Sequence, residues 1–83
     1  LLLRFRTISL GEEKPPYSEI ISQFARVANL LHVEPSGDAQ TIKMTFDILM
    51  RKDMDPEEFS LRMTKLKGVS EVALIASKHD VDY

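Results

Sequence analysis

The sequence predicts an α+β fold in which four strands and two helices follow one another in the order β-α-β-β-α-β. Residues 41–50 alternate between apolar and mostly polar side chains, which is the two-residue period of a half-buried strand. Asp55 and Pro56 form a strong helix start, and residues 20–31 carry apolar side chains at helical spacing. Strands around and between two such helices favour an antiparallel sheet with both helices on one face.

The first strand and the first helix are predicted from the N-terminal third of the chain. Residues 1–10 mix apolar with arginine and threonine side chains and lack helix start signals, so they read as a strand. Residues 11–16 form a loop, because two consecutive prolines cannot join a strand ladder. The helix that follows is predicted to be capped by Ser18 and to end near Asn29. Its apolar stripe consists of Ile20, Ile21, Phe24, Val27, Ala28 and Leu31.

A short strand and a long one come next. Residues 30–34 are predicted as the second strand, which ends at the turn sequence Pro-Ser-Gly-Asp. In the third strand, residues 41–50, Phe46 shares its face with four other large apolar residues. Turning that face to water would cost roughly 1.5–3 kcal/mol for each of them, so we predict that Phe46 faces the core. Phe5 is predicted to face the core for the same reason, with two neighbouring leucines.

The second helix has start and stop signals at its two ends. Asp55 is predicted as the N-cap, Pro56 as the first helical residue and Glu58 as the acidic member of a capping box. Gly68 is predicted to end the helix in a left-handed conformation. Residues 69–77 form the last predicted strand. The residues predicted to face inward are Phe59, Met63, Leu66, Val72, Leu74 and Ala76, and the cations of the last helical turn are Lys65 and Lys67.

Together these elements predict a ferredoxin-like split β-α-β fold that spans residues 1–83 as a single domain. The right-handed crossover rule then gives the strand order 4-1-3-2. RNA-recognition modules, metallochaperones, amino-acid sensors and small enzymes share this fold, so the fold alone does not assign a function.

The composition excludes several of these classes. The chain has 83 residues, a formal net charge of -2 and no cysteine. Without cysteine there is no disulfide, no thiolate metal site and no cysteine nucleophile, which excludes the metallochaperones of this fold. The balanced charge argues against a dedicated nucleic-acid binder. An inward Phe46 also removes the stacking aromatic that an RNA-recognition module needs.

No catalytic residues, cofactor or resident metal are predicted. Glu57 and Glu58 lie at a helix start, where the helix dipole explains them. One imaginable metal cluster consists of His32, His79, Asp80 and Asp82. These residue types suit a divalent ion, but their spacing matches no recognised ligand pattern and a solvated tail is the favoured interpretation. No stretch reaches the roughly 20 apolar residues of a membrane-spanning helix.

Three places in the predicted fold are candidates for binding. The open face of the sheet is predicted to carry Arg4, Arg6 and Lys43, either as a solvated face, which is the favoured interpretation, or as a site for an anion or a partner. Gly11 is a candidate ligand-binding residue, because free backbone N–H groups point outward at the start of the first helix. The edge strands supply the candidate interface residues Leu31, Val33, Ala73 and Ile75.

The last third of the chain resembles a known family. Residues 55–59, Asp-Pro-Glu-Glu-Phe, and residues 66–72, Leu-Lys-Gly-Val-Ser-Glu-Val, resemble the second half of an ACT domain. With residues 77–83, Ser-Lys-His-Asp-Val-Asp-Tyr, the chain is similar to the soluble C-terminal ends of bacterial integral membrane proteins, the MgtC-like family and related uncharacterised families. The resemblance implies a cytoplasmic domain that follows a helical membrane portion, with Arg4 and Arg6 on the cytoplasmic side.

From these observations we expect a piece of a longer protein, since the chain begins with leucine. Its expected function is that of a non-catalytic regulatory or interaction domain of a bacterial membrane protein. It would act through self-association or contact with another protein domain, because both edges of the sheet need cover. The alternative is a small-molecule-sensing ACT-type regulatory domain, for which a ligand at about 100 times its Kd would stabilise the fold by about 2.7 kcal/mol.

Overall fold

A computed structural model describes residues 1–8, 15–35, 37 and 40–76. Within these residues the elements are β1 (Leu2–Ile8), α1 (Pro16–Phe24), β2 (Ala25–Pro35), β3 (Thr41–Met50), α2 (Pro56–Thr64) and β4 (Val69–Ile75). This order is the predicted one, β-α-β-β-α-β. Neither helix in the described part of the chain is long and apolar enough to cross a membrane.

The four strands form one antiparallel sheet in the order β2-β3-β1-β4. Each helix connects two strands that are separated in the sheet by one other strand, and both helices contribute buried residues to the same core. The helices therefore cover one face and leave the other face open. This confirms the predicted ferredoxin-like α+β architecture and the strand order.

The core lies between the two central strands and the two helices. Leu3 and Phe5 of β1 are 0% and 2% exposed. The predicted inward orientation of Phe46 is confirmed, because its ring stacks on Phe5 with centroids 6.0 Å apart and packs against the core. Phe24 of α1 stacks on Phe59 of α2 at 5.1 Å, which joins the two helices above the sheet.

The predicted boundary between the first helix and the second strand is wrong. The helix begins at Pro16 and ends at Phe24, and β2 starts at the next residue, Ala25. Ser18 is not the cap: Pro15 occupies that position, with no side-chain cap hydrogen bond. Instead the backbone N–H of Ser18 donates to the carbonyl of Pro15 at 3.0 Å.

The pairing with β3 explains why residues 25–29 are extended rather than helical. Residues of β2 from Ala25 to Pro35 pair with β3 from Met50 to Ile42. A helix that continued to residue 29 would leave that half of β3 with unpaired backbone groups, which is costly for a half-buried strand. The long-range ladder therefore overrides a helical spacing that extends beyond residue 24 only by coincidence.

The start of α2 is confirmed and its end is not. Asp55 is the N-cap, its Oδ1 accepts a hydrogen bond from the backbone N–H of Glu57 at 3.0 Å, and the helix begins with the following proline. The helix ends at Thr64, so the lysines predicted in its last turn lie beyond it. Gly68 has the predicted left-handed conformation, with φ of 85°. It lies in the turn that leads into β4 rather than directly at the helix end.

A bulge in β4 was not predicted. The register against β1 shifts between Arg4 and Arg6, and Glu71 has a left-handed φ of 52°. Val69 and Val72 are three residues apart and would point to opposite faces of a regular strand, yet both pack against the core. The extra residue in the bulge makes this possible, because it shifts the alternation by one.

The last strand is shorter than predicted. It ends at Ile75, and Ala76, which was predicted to face inward, is exposed. The predicted strand end at Ser77 lies outside the described residues.

Candidate functional site: the β2 edge and the open face of the sheet

The β2 strand is a long edge whose apolar side chains are exposed. It has eleven residues, and among the described strands it pairs with β3 alone. Leu30, Leu31 and Val33 are 50%, 57% and 45% exposed. A single exposed leucine is ordinary. Three large apolar residues within four positions of a sheet edge instead form an exposed apolar patch, which is the kind of surface that edge strands offer for pairing.

The register against β3 shows that much of this surface lies on the helix side of the sheet. Leu30 pairs with Phe46, and Val33 pairs with Met44. Phe46 and Met44 pack against the core, so their cross-strand neighbours face the same way. The helices do not extend far enough to cover β2, and its outer residues stay half-exposed. The apolar layer of the protein thus continues past the helices to the β2 edge.

Two bulges shape this edge. The register against β3 shifts between Ala25 and Val27 and again between Leu30 and His32. The second shift makes Leu31 an extra residue without its own partner on β3, and it is the most exposed large apolar side chain in the described part of the chain. Such bulges bend an edge strand and interrupt its ladder. Backbone pairing along β2 is therefore available in short segments.

Some exposed apolar residues were missed by sequence analysis. Val27 and Leu49, which pair with each other across β2 and β3, are 44% and 52% exposed on the open face. The helical spacing had assigned Val27 to the buried stripe of α1. Leu30 was missed because its exposure depends on where the helices end. A signal was present in the apolar run Val-Ala-Asn-Leu-Leu-His-Val at residues 27–33, which fits an edge strand as well as a helix.

The four predicted interface residues lie on two separate surfaces. Leu31 and Val33 belong to the β2 edge, whereas Ala73 and Ile75 lie on β4 at the opposite edge of the sheet. All four are exposed. One contact with a partner could bury one pair or the other, so the structure does not unite them into a single site.

The open face carries the predicted cations. Arg6 forms an ion pair with Glu71, Nε to Oε2, at 2.9 Å. Arg4 and Lys43 are exposed, and within the described ranges no ion pair involves either of them. A shallow depression of about 390 Å³ lies over this face and includes Arg4, Lys43 and Thr45 in its lining.

The remaining candidates from the sequence are Gly11 and the imagined metal cluster. Gly11 lies outside the described residues, as do the tail residues His79, Asp80 and Asp82. Among the residues that the structure does describe, no three histidine, aspartate or glutamate side chains are grouped for a metal ion. Burial raises the pKa of the Tyr17 hydroxyl, whose ring lies 5.0 Å from that of Phe5.

The chain matches no protein-family model, no curated protein and no solved structure. Its fold is therefore established by its own geometry. The resemblance of residues 55–83 to the ACT-like ends of membrane proteins stays a prediction.

Proposed function

We propose that this chain is a non-catalytic interaction domain that works by self-association, and that two copies meet through the β2 edge. The observation that supports this most directly is the exposure of Leu30, Leu31 and Val33 on the free side of an eleven-residue strand. A second copy of the same edge offers both the apolar cover and the backbone groups that this strand lacks.

The apolar residues make association favourable without making it tight. Burying a fully exposed leucine or valine stabilises by roughly 1.5–3 kcal/mol, so each half-exposed side chain contributes about 1 kcal/mol. Three residues on each of two copies then contribute about 6 kcal/mol. Association costs roughly 4–15 kcal/mol in lost translation and rotation. Backbone hydrogen bonds and charges must supply the rest, and we expect a Kd of about micromolar to millimolar.

The charges along β2 favour an antiparallel meeting of two copies. Arg26 and Glu34 lie four residues before and four residues after Leu30, and both are exposed. When two β2 strands run antiparallel about a two-fold axis near Leu30, Arg26 of one copy approaches Glu34 of the other. A parallel meeting would instead bring like charges together. The two-fold arrangement produces this favourable pair twice.

The context of the domain is proposed from the resemblance of its last third. ACT-like ends of the MgtC-like and related membrane proteins support a regulatory domain on the cytoplasmic side of a bacterial inner membrane. In that setting, weak self-association is sufficient, because neighbouring copies held in one membrane have a high effective concentration. The gene sequence upstream of this chain tests the context: apolar segments of membrane-spanning length support it, and a soluble domain there contradicts it.

Self-association is tested by sedimentation velocity from about 10 µM to about 2 mM, the range in which a dimer of the expected Kd forms. The change is Leu31→Ser, and the matched control is Leu61→Ser on α2, since Leu61 is 54% exposed and Leu31 is 57% exposed. We expect the wild type and the control to dimerise equally and Leu31→Ser to weaken the dimer about tenfold or more. A wild type that stays monomeric throughout, or equal weakening in both variants, would contradict the proposal.

A further inference from the structure

The two carboxylates beside the depression on the open face contact basic side chains other than Arg4 and Lys43. Glu71 forms its ion pair with Arg6 at 2.9 Å. Glu34 stands directly opposite Lys43 in the register of β2 and β3, and its Oε1 lies 4.0 Å from Nε2 of His32, a contact that is an ion pair only when His32 is protonated. Within the described residues, neither carboxylate forms an ion pair with Arg4 or Lys43.

Two cations and a hydroxyl remain available close together. Arg4 pairs directly with Thr45 across β1 and β3, and Lys43 lies two residues from Thr45 on β3, pointing to the same face. All three line the depression of about 390 Å³. Diagonal neighbours across antiparallel strands have Cα atoms roughly 7–8 Å apart, which long side chains bridge easily. Arg4 and Lys43 can thus reach one small ligand seated over Thr45.

We propose that this position binds a small oxyanion of the phosphate class. A guanidinium, an ammonium and a hydroxyl approach it from three directions, which matches the three free oxygens of a phosphate group. An extended polyanion fits poorly, because Glu34 and Glu71 flank the position and the chain has a formal net charge of -2. The ligand is therefore a free phosphate or one terminal phosphate group of a small molecule. His32 and Glu34 of β2 border this site, but Arg4, Lys43 and Thr45 lie on β1 and β3, so the proposed binding does not require self-association.

The test is a titration of the ¹⁵N-labelled chain with inorganic phosphate, followed by amide chemical shifts at constant ionic strength and pH. We expect shifts centred on Arg4, Lys43 and Thr45 with a Kd on the order of 1 mM. Arg4→Gln and Lys43→Gln should each weaken binding about tenfold. The matched control is Lys65→Gln, which removes the same charge from an exposed residue beyond α2 and should leave the Kd unchanged.

Further ligands and variants distinguish recognition of a phosphate group from nonspecific attraction of anions. Methyl phosphate should bind as phosphate does if the site takes a terminal phosphate group. Acetate should bind more weakly, because it offers two oxygens and one negative charge, whereas methyl phosphate offers three unesterified oxygens and up to two charges. Equal weakening by Lys65→Gln, or shifts spread over all lysines, would overturn the proposal. The titration is repeated in Leu31→Ser, where unchanged phosphate binding separates this site from any failure of the proposed self-association. Thr45→Val provides a variant without charge change, and it should weaken binding while the spectrum of the free domain stays folded.

Discussion

The two edges of the sheet are built differently. The β2 edge has eleven residues, and Leu30 and Leu31 on it are 50% and 57% exposed. The β4 edge has seven residues, a bulge at Glu71 and the small side chain of Ala73 near its middle. Ile75, the large exposed apolar residue of β4, is 40% exposed at the strand end.

In the proposed self-association, this difference predicts which edge a second copy uses and why assembly stops at a dimer. Short strands, bulges and charged side chains protect a sheet edge from pairing with other chains. The β4 edge combines all three, since Glu71 is both the bulge residue and the partner of Arg6. The β2 edge is bulged as well, but it is longer and apolar. If one edge associates and the other does not, two copies close into a dimer and no filament grows.

Removing the β4 bulge should have the largest effect, because it removes the main difference between the two edges. Deletion of Glu71 leaves Val69 and Val72 two positions apart, so a regular strand keeps both on the core side in the existing register against β1. The free energy of unfolding should therefore stay within about 1 kcal/mol of the wild type, but the β4 edge loses its bulge and a charge, and species larger than a dimer should form. Urea unfolding followed by circular dichroism measures the stability, and sedimentation velocity measures the assembly.

The matched control for that deletion is Glu71→Gly, which keeps the bulge and suits a left-handed φ. It loses the partly exposed ion pair with Arg6, so its stability should stay within about 1 kcal/mol of the wild type and its assembly should stop where that of the wild type does. A deletion variant that assembles no further than the control would show that the bulge does not protect the β4 edge.

The turn into β4 should give a smaller effect. Gly68 has φ of 85°, and an added Cβ would lie 3.5 Å from the Cδ1 of Ile8, which is ordinary contact. Space is therefore sufficient, and Gly68→Ala should lose about 1 kcal/mol through backbone strain alone. Gly68→Asn, which tolerates this conformation better, should lose less in the same unfolding experiment. If alanine and asparagine have equal effects, backbone strain is not the cause.

Exchanging two charges on β2 should change the Kd of the proposed dimer by a few-fold. Arg26→Glu and Glu34→Arg should each weaken the dimer, and the double variant should restore it, because each exposed pair contributes about 0.2–1 kcal/mol. The two residues lie roughly 25 Å apart along one strand, so restoration requires two copies. Sedimentation at low and high salt measures the effect, which salt should reduce. Additive weakening in the double variant would contradict the antiparallel arrangement.

A residue away from both edges should affect only the pH dependence of stability. Burial raises the pKa of Tyr17 in the folded state above its ordinary value of 10.0. Below pH 10 both the folded and the unfolded chain hold this proton, so its contribution to stability is fully present. Above pH 10 the unfolded chain releases the proton first, and stability falls until the folded-state pKa is passed. Tyr17→Phe should reduce the fall of the unfolding free energy with pH above 10, measured by urea unfolding, and should leave the dimer Kd at neutral pH unchanged. An unchanged pH dependence would show that Tyr17 does not cause it.

Part of the candidate site could be predicted from the sequence. Alternation along β1 and β3 placed Arg4 and Lys43 on the open face, and the strand order made Leu31 and Val33 edge residues. Sequence analysis could not show that Leu30 is half-exposed, since that depends on how far the helices reach over the sheet. It also could not show that, among the described residues, Glu34 and Glu71 form no ion pair with Arg4 or Lys43, since side-chain pairing depends on the register and bulges of the strands.

Elements with strong local signals could be predicted from the sequence alone. The ten-residue alternation of β3 needs only its own period, and the start of α2 needs only Asp55 and the backbone N–H of Glu57. The tertiary structure decided the end of α1, the length of β2 and the bulge in β4. In those places the local preferences are weak or conflicting, and the backbone takes the conformation that pairs its hydrogen bonds with a neighbouring strand and buries the most apolar surface.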